Sequence, residues 1–161
     1  MKEAKTSSKK NTRSRAIYQD TLIREVRINY QPTSEPAFKV GSPEDVASFV
    51  RKVLCDNSRE QVIALFLNGA HQVAGFSIVS IGTANATSAH PHEIFQRAIG
   101  AGAVSLIMAH NHPSENTEPS PEDRYFTRKL KEAGELLCIP LLDHVIVTNT
   151  AHYSFKEALM L

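Results

Sequence analysis

Three short apolar runs constrain the fold of this chain more than anything else in it: Val62–Leu67 (VIALFL), Ala103–Ala109 (AVSLIMA) and Leu141–Val147 (LLDHVIV). Runs of this length without a polar face are the pattern of strands covered on both sides. Helix starts stand between them. Ser42-Pro43-Glu44-Asp45 and Ser120-Pro121-Glu122-Asp123 each put a hydroxyl at the N-cap, a proline at the first helical position and acids in the first turn. Val46, Phe49, Val50 and Val53 give the first helix an apolar stripe, ending near Cys55; the second should run to about Leu137, before Pro140 stops it. A third helix is expected over Pro91–Ile99, with Ala89 or His90 near its start and Gly100 at its end. Asn68-Gly69 marks a turn, and Gln72–Ile81 returns as the second arm of a hairpin. Period-two alternation predicts an opening strand over Leu22–Tyr30, and Tyr153–Leu161 a closing strand and helical tail. The resulting order, β-α-β-β-α-β-α-β, implies an α/β fold: a mixed sheet flanked by helices on both faces.

A chain of 161 residues with 42% hydrophobic and 22% charged residues can build one such core without staples. Its two cysteines, Cys55 and Cys138, are too few for a disulfide framework or a four-cysteine zinc site and read as core residues. Residues 1–15 hold six basic residues and one acid, against a net charge of +1 for the whole chain, so the remainder is net acidic. Residues 1–20 are therefore expected as a disordered basic tail and 21–161 as the folded domain. An acidic domain argues against a large nucleic-acid surface, leaving the tail as the place where nucleic acid could touch. The basic start has no apolar stretch after it, and no run approaches a membrane span, so neither a secretory signal nor membrane insertion is expected. The expected setting is the reducing cytoplasm; the oligomeric state is left open.

The chemistry concentrates around Ala109-His110-Asn111-His112-Pro113 and the Ser120–Asp123 turn. His110 and His112 stand two apart at the end of an apolar run, so on a strand they leave on the same side. Asp123 lies in the first turn of the next helix, with a loop between them long enough to fold that turn over the strand end. Two imidazoles and a carboxylate match catalytic zinc with a fourth position left for water. A His-x-His pair alone is a weak signal, and Ser120 with Asp123 is equally a capping box. The zinc deaminases are excluded at motif level, because no Pro-Cys-x-x-Cys is present.

The whole spacing, His110-x-His112, seven residues, Ser120-x-x-Asp123, is identified as the JAMM (MPN-plus) metalloprotease signature. With His90-Pro91-His92-Glu93, His110-Asn111-His112-Pro113-Ser114, Leu141-Leu142-Asp143-His144-Val145-Ile146-Val147 and Tyr153-Ser154-Phe155, the chain resembles the JAB domain of RadC-family proteins over about residues 22–158. That resemblance implies a JAB/MPN fold, a cytidine-deaminase-like α-β-α sandwich. It implies zinc on His110, His112 and Asp123, and hydrolysis of an amide bond in a peptide or protein substrate. It places the general base at Glu60, just before the Val62–Leu67 strand, and gives Ser120 the oxyanion, although capping the helix competes for the same hydroxyl. Two further classes stay open: a DNA repair or recombination accessory of the RadC family, and a metal-binding interaction module without turnover. The sequence departs from the family in two ways. Glu115 stands where the His-Pro-Ser-Gly turn has glycine, and Asn116-Thr117-Glu118 lacks the usual proline-flanked form. It shows no N-terminal helix-hairpin-helix region, so a short form is expected. Asp143 and His144, adjacent on a strand, cannot enter one site, and an interior strand histidine is more often a structural hydrogen-bonder than a ligand. His71, His90, His92 and His152 read as surface or capping residues.

Overall fold

Alternate residues of the apolar runs feed two cores on opposite faces of one sheet. In the computed structural model, which describes residues 27–54, 57–81 and 90–161, the elements run α1 (Pro43–Val53), β1 (Gln61–Leu67), β2 (Val73–Ile81), α2 (Pro91–Gly100), β3 (Ser105–Asn111), α3 (Pro121–Leu136), β4 (Leu141–Val147) and β5 (His152–Ser154). The sheet order is β2-β1-β3-β4-β5. β1 is antiparallel to both β2 and β3, β3 is parallel to β4, and β4 is antiparallel to β5. This is the mixed α/β sheet with helices on both faces that the sequence implies.

The odd residues Ile63, Leu65, Leu67, Ile107, Ala109, Val145 and Val147 pack under Val46, Phe49 and Val50 of α1. The even residues Val62, Ala64, Phe66, Leu106 and Met108 pack under Ile94, Phe95 and Ala98 of α2 and Phe126 and Leu130 of α3. Every residue of β1 and β3 is buried, which is why neither shows a polar face. Gly134 allows α3 to approach the chain closely: a Cβ there would come within 2.7 Å of the Ile139 carbonyl oxygen. The parallel β3–α3–β4 crossover sets the N-terminus of α3 beside the carboxyl end of β3, where open α/β sheets place their sites.

Several expectations are corrected. Arg27–Tyr30 form no strand, and Ile28 and Tyr30 are 58% and 69% exposed, so their alternation faces no core. Residues 22–26 of that expected strand, the basic tail and Cys55 lie outside the described residues. The chain after β5 closes in turns rather than a helix: Ala158 N–H reaches the Ser154 carbonyl, Leu159 that of Lys156 and Met160 that of Phe155, at three different spacings. Cys138 is exposed, not core, because it is the left-handed residue (φ 55°) just past the end of α3. In the hairpin, the Asn68 side-chain oxygen accepts from the N–H groups of Ala70 (2.9 Å) and Gln72 (3.1 Å), and the left-handed residue is His71 (φ 58°), not Gly69.

Candidate metal centre

His110 is the penultimate residue of β3, and His112 N–H still bonds the Val147 carbonyl at 3.1 Å, so strand geometry continues through His112. Period two then turns both rings to the α3 face. Asn111, between them, points to the other side and is buried. Its side chain accepts from Gln61 N–H at 2.7 Å and donates to the Arg59 carbonyl at 2.9 Å, fastening the start of β1 beside β3. Val62 pairs with His110, so Glu60, two residues earlier, falls on the same face as the histidines.

Asp123 is the third residue of α3. Ser120 caps the helix by accepting from Asp123 N–H at 3.1 Å, and Asp123 Oδ2 returns the favour, accepting from the Ser120 N–H (2.8 Å) and hydroxyl (2.6 Å). Ser42 and Asp45 form the same box at α1 from the same four residues, Ser-Pro-Glu-Asp. The difference is where the helices dock. Asp45 is only partly buried at the surface, whereas Asp123 is 2% exposed against the two histidines.

Three distances define the cluster. His110 Nε2 lies 3.0 Å from His112 Nε2 and 3.3 Å from Asp123 Oδ1, and His112 Nε2 lies 3.7 Å from Asp123 Oδ2. Ligand atoms held tetrahedrally at zinc's usual bond length stand roughly 3.4 Å apart. His110, His112 and Asp123 therefore form a group whose ligand atoms could hold one metal ion. Proton placement points the same way. His112 Nδ1 is 2.6 Å from the Asn116 carbonyl oxygen, which can only accept, so Nδ1 carries a proton and the neutral ring presents its Nε2 lone pair to the cluster. A carboxylate and an imidazole lone pair converging in a buried place suit a cation, either a metal ion or a proton.

The electrostatics of the metal-free cluster agree. Burial pushes the pKa of His110 down to about 4, against the pull of Asp123. The Asp123 carboxylate raises His112 above its ordinary value, with burial opposing and Asn116 and Glu60 assisting. Burial works against the charge of Asp123, but His112, His110 and the two Ser120 donors together hold it far below the carboxylate range. Burial raises half-buried Glu60, and the neighbouring Asp123 charge raises it further, partly offset by His112. Without a metal, the opposite directions of the two shifts make His112 the more readily protonated of the two histidines.

A family model described as the RadC-like JAB domain matches residues 40–160. The chain belongs to the RadC-like JAB domain family. Among its relatives are UPF0758 proteins of Carboxydothermus hydrogenoformans, 40% identical over 127 residues (79% of this chain, 56% of the relative), and of Desulforamulus reducens, 45% identical over 115 residues (71% and 51%). Another, from Methanosarcina mazei, is 40% identical over 123 residues (76% and 54%). The chain thus spans about half the length of the curated relatives it matches. Among the described residues, no helix is long and apolar enough to cross a membrane.

Within this RadC-like JAB domain, the structure places the remaining candidates as follows. Glu60 lies near enough to Asp123 and His112 for their charges to act on it, yet outside the three-residue cluster. The Ser120 hydroxyl proton is directed at Asp123, the capping arrangement. Asp143 faces away, onto the α1 side, where it accepts from the Ser154 hydroxyl (2.6 Å), Lys156 N–H (3.0 Å) and His144 N–H (2.7 Å) and lines a cavity of about 360 Å³ with Val46 and His71. Glu115 takes a left-handed conformation, φ 59°, which is the conformation that makes glycine the ordinary choice in that turn. Sequence reasoning missed Thr127 and Asn111. Thr127 lies four residues after Asp123, hence on its face of the helix, and that spacing was the available signal.

Proposed function

We propose that this RadC-like JAB domain is a zinc-dependent hydrolase of JAMM type that cleaves an amide bond in a peptide or isopeptide. The observation that carries the reading is the convergence of His110, His112 and Asp123 in one group that could hold a metal ion, with half-buried Glu60 near them but outside it. When bound, zinc would polarise the scissile carbonyl and bring the pKa of water toward neutrality. His110, His112 and Asp123 would hold it through Nε2, Nε2 and the carboxylate. Glu60, its pKa raised by burial and by the Asp123 charge, would take the proton of the attacking water and return it to the leaving nitrogen. Ser120 can serve the developing oxyanion only by turning its hydroxyl from Asp123 Oδ2, while its oxygen keeps accepting from Asp123 N–H.

The test is a degenerate library of peptides and isopeptides incubated with purified protein. Cleavage that stops on chelation, returns with zinc and falls by about 10²–10⁴ in Glu60→Gln supports the reading. Cleavage that survives chelation, or that Glu60→Gln leaves at the wild-type rate, contradicts it.

A further inference from the structure

The proton on His110 can be placed from the far end of a buried chain of contacts. Thr127 Oγ1 lies 2.6 Å from the backbone carbonyl oxygen of Asp123 and 2.6 Å from His144 Nδ1. Each contact needs a proton, and the hydroxyl has one. The carbonyl cannot supply any, so the hydroxyl proton goes to Asp123 and His144 Nδ1 must bring its own. With one proton on its ring, His144 then has a lone pair on Nε2, and that atom is 2.9 Å from His110 Nδ1. The proton in that contact therefore belongs to His110 Nδ1. His110 Nε2 is left as a lone pair, facing His112 and Asp123.

We propose that Thr127 and His144 are positioning residues that fix the tautomer of His110, holding its Nε2 lone pair toward the cluster. This rests on the reading of His110, His112 and Asp123 as a metal centre. Each step is buried: Thr127 is 2% exposed, and His144 and His110 are each 1% exposed, so water does not compete for these protons. The His144 ring is itself held, stacked on Phe155 at 5.0 Å and 10°. The chain joins three elements, β3, β4 and α3, and ends on the main chain of Asp123, whose carboxylate is the third member of the cluster. Both histidines thus lean on a backbone carbonyl, His112 directly on Asn116 and His110 through two side chains. Partners of this kind on the far nitrogen of a ligand histidine typically set metal affinity within about 10–100-fold.

The experiment is ¹⁵N NMR of the imidazole nitrogens in the metal-free full chain at neutral pH, with zinc affinity measured in parallel by competition with a chromogenic chelator. The wild type should show His110 and His144 both protonated at Nδ1. In Thr127→Val, His110 should become a mixture of tautomers and zinc affinity should fall about 10–100-fold; Thr127→Ser should restore both. A wild-type His110 protonated at Nε2, or a Thr127→Val protein with an unchanged spectrum, overturns the proposal, and the wild-type spectrum decides it even if the variants do not fold. A wild-type protein that shows the Nδ1–H tautomer and takes up no zinc would retain the proton chain and remove the metal reading, so the two fail separately.

Discussion

The carboxylate of Glu115 grips both donors of Asn149, the main-chain N–H at 3.1 Å and the side-chain amide at 2.6 Å. Asn149 in turn accepts from the side chain of Asn57. One residue thus ties the loop after β3 to the β4–β5 turn and to the approach to β1. The contact explains how glutamate holds a left-handed position where the family usually has glycine.

Removing that carboxylate in two ways separates the contact from the backbone. Glu115→Gly and Glu115→Ala both lose Asn149, but alanine must also adopt φ near 59°. The glycine variant should be the more stable by about 1 kcal/mol in urea unfolding. An alanine variant as stable as glycine would mean that the turn relaxes to an ordinary conformation.

The repeated Ser-Pro-Glu-Asp offers an internal control. Asp45→Ala removes only a cap and should cost about 0.5–2 kcal/mol with zinc binding intact. Asp123→Ala removes the same cap and a ligand, so zinc should be lost as well. Thermal melts and elemental analysis of the two variants check this. Equal zinc content in both would reduce Asp123 to a helix cap.

What the sequence made legible follows the range of the interactions. The two-residue spacing of His110 and His112 and the first-turn place of Asp123 are local, and both survive in the structure. Strands β1, β3 and β4 were legible because burial on both faces leaves an unbroken apolar run. The Thr127–His144–His110 chain was not legible, because it joins three elements that only the packed sheet brings together. Ile28 and Tyr30 misled because alternation records a half-buried face only where a core exists to bury it. Cys138 misled because cysteine's general preference for the interior yields to a backbone turn that directs it outward.

The pH dependence of the metal-free protein carries a definite sign. His110 is depressed to about 4 and His144 lies well below its ordinary 6.5, both chiefly through burial. Below pH 6.5 the unfolded chain binds protons that the folded chain refuses, so stability is present above the unfolded value and lost as pH falls toward the folded ones. For His110 alone the full loss is on the order of 3 kcal/mol. Glu60 and Asp143, both raised by burial, oppose this by binding protons earlier in the folded state. His112, whose folded value is raised, opposes the loss around its unfolded value of 6.5 and stops adding slope only once pH is well below it, where both states are protonated. The melting temperature after chelation should fall between pH 6.5 and 5. A midpoint that is flat or rises across that interval would show that the two rings accept protons in place.

The metal centre itself is tested most directly by counting zinc. Wild type, Glu60→Gln and His112→Ala, purified identically and loaded with excess zinc before desalting, should hold one, one and no zinc per chain. Wild type without zinc would contradict the reading of the cluster; a Glu60→Gln protein that loses its zinc would make Glu60 a ligand instead of the base.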